Sequence, residues 1–412
     1  MAIAPSIRTL FITKEVPYPP KGGVSLRNWQ NINIMMKFGL VAVFSASNWT
    51  PKHSSLPGVV LWKHTNVTTQ RSGWENRQRR LWWLRRRRHP DADWAYSNRA
   101  AQELDELLTK FQPDLVIFEE VWLYPYLSVV KRHQCRIIFD EHNIEAPLFQ
   151  QKYPSFEGLR SRAKATIQLS HLTSIEGDFV RQANQVWVCS DDDACLIKTL
   201  YGTVSHTQVI PNGMNVAQYD PVRLGQCRPP SGLEDTRRTL LFVGLLSYAP
   251  NTEAAELLID QIYPRLREID SDCRLLLVGR NPNQKMQEAA KRESGIIVTG
   301  GVPDVLPYLA AASIVIVPLL QGGGTRLKIL EAFAAGCPVV STAKGAEGLK
   351  AKDGEHLLIR NEVDAIVEGV CQLWSEPALG EKLARSAYEF VRTEYSWEAV
   401  EKRLEQAIRE LF

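Results

Sequence analysis

No window of the 412-residue chain approaches the roughly 18 consecutive apolar residues that a membrane-spanning helix requires. The N-terminus, MAIAPSIRTLFITKEV, lacks the basic start, long apolar stretch and small-residue cleavage site of a secretory leader, and Arg8 and Lys14 bracket an apolar run too short for one. Both absences lead us to expect a protein that faces the cytoplasm or rests on the cytoplasmic side of a membrane. Seven cysteines (Cys135, Cys189, Cys195, Cys227, Cys273, Cys337 and Cys371) include no CxxC pair and make an odd total, so neither a zinc cluster nor a disulfide framework is indicated. Several lie in apolar runs such as VWVCS, where they read as small buried hydrophobes. A strong charge of one sign is lacking too, and a formal net charge of +3 gives by itself no case for a nucleic-acid binder. What is present, 44% hydrophobic and 23% charged residues, is a globular composition. A chain of this length is expected to form two domains.

Short valine- and isoleucine-rich runs alternate with longer helical patterns, the signature of parallel sheets with crossover helices. We read strands at RTLFIT, LVAVFSA, VVLWKH, DLVIFEE, RIIFDEH, QVWVCS and TQVIPN, then at TLLFVG, CRLLLVG, GIIVTGG, SIVIVPL, PVVSTA and HLLIR. Between them PNGMNVAQYDPVRLGQCRPPSGLED, rich in proline and glycine with no sustained period, reads as an interdomain connection over 211–235. The expected organisation is two doubly wound α/β domains, 1–210 and 236–394, facing a cleft. A final helix over about 395–412, with the stripe Trp397, Val400, Leu404 and Ile408, would pack back on the first domain.

The segment QGGGTRLKILEAFAAGCPVVST carries the chemistry. It follows a predicted strand ending at Pro318–Leu319, continues as a helix and returns to a strand at Pro338–Val340. Gly322, Gly323 and Gly324 let the backbone approach a ligand without a Cβ in the way. Thr325 suits an N-cap, the helix amides behind it suit phosphate, and Arg326 and Lys328 add two full charges. Glu331 sits in an otherwise apolar helix, on the face of Lys328. It needs a partner, and a ribose diol is a good one. The plainer alternative is a surface Lys–Glu pair on an ordinary crossover helix. No glycine-lysine-serine or -threonine triplet and no GxGxxG spacing is found here, which disfavours ATP hydrolysis and dinucleotide chemistry.

From LLFVGLLSYAPN through LLLVGRNPN, VTGGVPDVLPYLAAASIVIVPL and GGGTRLKILEAFAAGCPVVST to EYSW, the second half closely resembles family-4 glycosyltransferases of GT-B fold, nearest to bacterial enzymes of exopolysaccharide or envelope-glycan assembly. The first half resembles them more loosely. The resemblance implies two Rossmann-like domains and retaining transfer from a UDP- or GDP-sugar to a glycan, a lipid-linked acceptor or another hydroxyl. It implies neither a metal nor any other cofactor beyond the sugar-nucleotide co-substrate. Glu331 matches the glutamate that holds the ribose. Position 323, where the family has a glutamate touching the donor sugar, is Gly323, so backbone amides would take over that contact. Gly244 matches the glycine opening the phosphate turn. The arginine and lysine many members place after it are Leu245 and Pro250, which leaves Arg326 and Lys328 as the expected diphosphate cations, with Gly324 and Thr325 beside them. Gly279 and Val302 match positions lining the base.

In the first half, PYPPKGGVSLRNWQNINIM resembles the family's glycine loop beneath the diphosphate, with Gly22 and Gly23 allowing close approach; a proline–glycine turn before a helix would look the same. RIIFDEHNIEA sets Asp140, Glu141, His142, Asn143 and Glu145 just past a strand. His142 matches the family histidine near the donor sugar's reacting end, where an imidazole can bind a hydroxyl or stabilise charge. The clustered carboxylates also admit a two-carboxylate hydrolase, although one loop does not establish the opposed geometry that reaction requires. Seven arginines, Arg77, Arg79, Arg80, Arg85, Arg86, Arg87 and Arg88, flank Trp82 and Trp83 outside the family match. They suit anionic lipid headgroups, less well a nucleic acid, or else a solvated basic insertion. Two rival functions are an epimerase using the same donor without an acceptor, and a non-catalytic membrane- or nucleic-acid-binding protein with a degenerate donor site.

Overall fold

The computed structural model describes residues 6–20, 22–48, 50–51, 53–68, 73–74, 89–151, 157–202, 206–324 and 326–412. The chain divides into two compact units, Met1–Pro211 with Glu401–Phe412, and Asn212–Val400.

The first unit holds a seven-stranded sheet of β1 (Thr9–Thr13), β2 (Val41–Ser47), β3 (Leu61–Asn66), β4 (Leu115–Glu119), β5 (Arg136–Glu141), β6 (Gln185–Val188) and β7 (Thr207–Val209). Its order is β3-β2-β1-β4-β5-β6-β7 and every pairing is parallel. Strands such as TLFIT and LVIFE are buried at every residue, as expected where helices cover both faces. On one face Phe179, from the helix Leu159–Gln182, stacks on Phe139 at 4.1 Å and meets Phe118 edge-on at 5.0 Å.

The second unit holds a six-stranded parallel sheet, β8 (Thr239–Val243), β9 (Arg274–Val278), β10 (Ile296–Gly300), β11 (Ile314–Val317), β12 (Val339–Ser341) and β13 (Leu358–Ile359), ordered β10-β9-β8-β11-β12-β13. In both sheets the chain winds outward through three strands and then jumps back across the first. The order therefore reverses between β1 and β4 and between β8 and β11. Open α/β sheets part their loops at such reversals and bind ligands there.

All thirteen expected strands are present. Two details differ from the sequence reading. The 211–235 segment is not uniformly irregular: a 3-10 turn, Val216–Tyr219, and a helical turn, Asp220–Arg223, lie within it, together too short to show a period. In the last helix, Trp397–Leu411, Val400, Leu404 and Ile408 are buried but Trp397 is 42% exposed, because it is the first helical residue and precedes the buried stripe. Within the first unit, Gln185 donates to the Ala407 carbonyl at 3.0 Å and Lys37 pairs with Glu401 at 2.6 Å. No helix among the described residues is long and apolar enough to cross a membrane.

Candidate functional site

In the second unit, the β8 and β11 tips carry Gly244 and the glycine loop. The Gly244 N–H donates to the Val278 carbonyl at 3.0 Å, which draws the β8 and β9 tips together. A Cβ on Gly279 would lie 1.7 Å from the Gly244 carbonyl oxygen, so only glycine fits there. A Cβ on Gly244 would lie 2.7 Å from Asn251 Nδ2 and 3.2 Å from Lys328 Nζ. This turn is therefore lined by one amide and one cation. Lys328 Nζ donates to Asn251 Oδ1 at 2.7 Å and lies 4.3 Å from the centre of the Phe242 ring. Burial, and next the charge of Arg326, push the lysine down to about 7, against the pull of Glu331. Such an ammonium is short of counter-charge, the state in which a phosphate is the natural partner.

Glu331 is held by the Tyr219 hydroxyl, from the 3-10 turn in the connecting segment. Burial raises the carboxyl above its ordinary value, against the effects of Tyr219 and Lys328. Lys328 is not tied to Glu331 as a surface pair, since its hydrogen bond goes to Asn251. Arg326 is 5% exposed and turned inward. Its Nη1 donates to the Gly323 carbonyl at 2.9 Å, and its Nη2 reaches the carbonyls of Gly322 at 3.0 Å and Lys344 at 3.1 Å. The helix runs Leu327–Ala334 with Arg326 as its N-cap and no side-chain cap bond. Thr325 lies outside the described residues. Gly323 and Gly324 are half-buried, and Val302, just beyond β10, packs half-buried against the core.

The first unit holds a second cluster at its own sheet reversal. The β4 and β5 ends supply Glu119 and Asp140, His142 follows β5, and the helix Gly23–Met35 supplies Arg27, Asn28 and Asn31. Arg27 Nε lies 3.1 and 3.0 Å from the two Asp140 oxygens, and its Nη1 donates to the Ile210 carbonyl at 2.7 Å. Asn31 Nδ2 donates to Asp140 Oδ2 at 2.7 Å. Burial alone would raise the Asp140 carboxyl, but the Arg27 guanidinium holds it well below the usual range. His142 Nε2 donates to Glu119 Oε2 at 2.7 Å and lies 3.7 Å from Asp140 Oδ2. Asn28, with its amide oriented to donate, reaches Glu119 Oε2 at 2.9 Å and the Val24 carbonyl at 3.0 Å. Burial opposes the imidazolium, yet the neighbouring Asp140 and Glu119 carboxylates raise His142 to about 10. Its Nδ1 has no partner among the described residues.

Glu119, Asp140 and His142 bring potential metal-ligating atoms within 4.8 Å of one another. Arg27 already supplies the cation for Asp140, and His142 Nε2 is committed to Glu119, so the set reads as a neutralised ion-pair network. Glu141, on the opposite face of β5 because strand side chains alternate, is pushed up by burial and then by Glu176. Glu176 in turn accepts from the amides of Glu145 at 2.6 Å and Ala146 at 3.3 Å. Asp140 and Glu141 therefore point to opposite faces of the sheet, which is not the opposed geometry of two carboxylates across one sugar. Gly22 and Gly23 open the helix after β1. Both are exposed, and the Gly22 N–H is taken by Ser25 Oγ at 3.1 Å. The arginine cluster Arg77, Arg79, Arg80, Arg85, Arg86, Arg87 and Arg88, with Trp82 and Trp83, lies outside the described residues.

Sequence reasoning passed over Tyr219, Asn251, Glu119, Arg27, Asn28 and Asn31. Arg27, Asn28 and Asn31 left a readable trace, as polar residues one turn apart in a helix that must bury a face. Tyr219 left none.

Comparison with known proteins adds to this geometry. Residues 237–376 match the model for "Glycosyl transferases group 1" and residues 67–218 the model for "Glycosyltransferase Family 4", a span that takes in the arginine cluster, which the sequence reading places outside the family match. A phosphatidyl-myo-inositol mannosyltransferase of Mycobacterium leprae is 28% identical over 200 residues, 47% of this chain and 51% of that protein. A lipopolysaccharide 1,2-N-acetylglucosaminetransferase of Salmonella typhimurium is 26% identical over 220 residues, 50% of this chain and 56% of that protein. The chain thus spans about half the length of these curated relatives. Among solved structures, sucrose-phosphate synthase of Thermosynechococcus elongatus superimposes with a TM-score of 0.70 at 17% identity, covering 98% of this chain and 99% of that one. HepE of Anabaena in complex with UDP does so with a TM-score of 0.68 at 13% identity, covering 98% and 100%. With a glycosyltransferase model matched in each half and this architecture superimposed along nearly its full length, the chain belongs to the family-4 glycosyltransferases of GT-B fold.

Proposed function

We propose that the protein moves a sugar from a UDP- or GDP-sugar to a glycan or lipid-linked hydroxyl acceptor, with retention of anomeric configuration. The observation that carries this reading is the meeting of Gly244, Asn251, Lys328, Glu331 and the glycine loop where the second sheet reverses its order. There Lys328 faces the diphosphate and Glu331, steadied by Tyr219, accepts from the ribose hydroxyls. HepE of Anabaena, a solved structure of the same fold, was seen in complex with UDP and with UDP-glucose. In the transfer step the acceptor oxygen bonds to the anomeric carbon on the face the diphosphate leaves. The carbon–oxygen bond to the diphosphate breaks, and the acceptor proton passes to a phosphate oxygen. His142, as an imidazolium, stabilises the charge that develops. The chain's own cations do this work in our reading, which calls for no metal.

Screening UDP- and GDP-sugars for protection against thermal unfolding tests the donor class, since a ligand of the native state raises its apparent stability. Glu331→Ala is expected to weaken the protecting nucleotide sugar about tenfold, the loss of one charge-assisted hydrogen-bond pair, while the melting temperature of the free protein holds. Unchanged affinity would remove Glu331 from the site. Free nucleoside diphosphate released only with acceptor supports transfer, and an epimerised donor overturns it. We also propose that the arginine cluster rests on anionic lipid at the cytoplasmic face. Replacing Arg85 to Arg88 with serine is expected to abolish co-sedimentation with phosphatidylglycerol vesicles and spare turnover of a soluble acceptor; loss of donor binding instead would defeat that assignment.

A further inference from the structure

The loop Gly322–Gly324 stands where the family's donor-sugar glutamate is absent, and its backbone is ordered from within. Arg326 commits Nη1 to the Gly323 carbonyl and Nη2 to the carbonyls of Gly322 and Lys344, with the Glu347 carboxylate 3.5 Å away. Lys344 Nζ holds that same carboxylate at 2.5 Å, which anchors the guanidinium to the turn after β12. A trans peptide points its N–H opposite to its C=O. The Gly322 carbonyl shares a peptide with the Gly323 N–H, and the Gly323 carbonyl shares one with the Gly324 N–H. Turning both carbonyls onto Arg326 therefore turns both N–H groups away from it. Neither N–H has a hydrogen-bond partner among the described residues. Gly322 at φ 110° and Gly324 at φ 78° supply the left-handed backbone this arrangement needs.

We infer that Arg326 is a positioning residue and not a phosphate ligand: it gathers the loop's carbonyls inward so that the Gly323 and Gly324 N–H groups present donors to oxygens of the sugar nucleotide. The inference rests on the donor reading of this loop. It leaves Lys328 as the charge that meets the diphosphate. It also gives position 323 a function opposite in kind to the missing glutamate, since a pair of amide donors replaces an acceptor.

Arg326→Lys separates the two roles, because lysine keeps the charge but has no planar fork to reach several carbonyls at once. In the full-length protein, Arg326→Lys and Arg326→Gln are both expected to lose about tenfold in affinity for the protecting UDP- or GDP-sugar. Hydrogen–deuterium exchange of the segment 319–327 in the ligand-free variants is expected to quicken by about tenfold as the loop loosens. Wild-type affinity and wild-type exchange in Arg326→Lys, with loss only in Arg326→Gln, would overturn the inference and restore a phosphate contact. Should either Arg326 variant fail to fold, Glu347→Gln loosens the anchor without altering a loop residue. It is expected to quicken exchange of the same segment by roughly threefold, and unchanged exchange there counts against the inference. If the wild-type protein is protected by none of the sugar nucleotides, the donor reading fails, while the exchange measurement still decides whether Arg326 orders the loop.

Discussion

Arg27→Met is expected to lower the free energy of unfolding by about 3–5 kcal/mol, the cost of stranding one member of a buried ion pair. Arg27 is 2% exposed and Asp140 fully buried, so no water replaces the guanidinium against either carboxylate oxygen. The bond from Arg27 Nη1 to the Ile210 carbonyl goes as well, and with it the tie between the first helix and the end of the sheet. Urea denaturation followed by circular dichroism measures the loss. Arg27→Met combined with Asp140→Asn removes the orphaned charge and should recover a large part of it. The pair also sets an acid limit. The folded Asp140 carboxyl lies below its ordinary value of 3.8, so its contribution is complete above 3.8 and is lost only as pH falls further, through the folded value. Arg27→Met should lack that reserve and unfold at a higher pH than the wild type. A loss below about 1 kcal/mol, the range of an exposed ion pair, would mean that water reaches the site.

The sheets were legible in the sequence because parallel strands are buried on both faces and read as unbroken apolar runs; TLFIT, LVIFE and RLLLV need no context to be recognised. The glycine loop was legible because three glycines between a strand and a helix have few structural uses. The partners of the charged residues were not, because they are fixed by tertiary contacts. Tyr219 lies more than a hundred positions before Glu331, and Asp140 lies as far after Arg27. The least legible point was Arg326. A sequence shows a cation beside a glycine loop but not whether the guanidinium points out to a ligand or back onto the carbonyls. Here the second geometry is found, and the carbonyl oxygens of Gly322, Gly323 and Lys344 offset the cost of burying the charge.

His142→Ala is expected to lower kcat by about 10²–10³-fold with little change in the donor KM, the usual effect of removing one group that stabilises developing charge. The charge on the imidazole depends on where the shared proton sits. Burial and the nearby Asp140 charge push Glu119 up to about 7, and the same neighbourhood raises His142 to about 10, so the pair holds one proton between them across the neutral range. We place it on the imidazole. Arg27 keeps Asp140 anionic, and that second carboxylate lies only 3.7 Å from Nε2. Nδ1 then carries a hydrogen with no acceptor among the described residues. The folded value exceeds the ordinary 6.5, so the contribution is complete below 6.5 and is lost as pH rises through about 10. For turnover, wild-type kcat/KM should show no fall attributable to His142 between pH 7 and 9, a window below its folded value of about 10. Glu119→Gln keeps the shape of the acceptor and removes its charge, so the imidazole should move back toward its ordinary range. A new basic limb should then cross neutral pH in the kcat/KM profile. A profile in Glu119→Gln identical to the wild type, or full turnover in His142→Ala, would show that the charge at this strand end serves the fold and not the transfer.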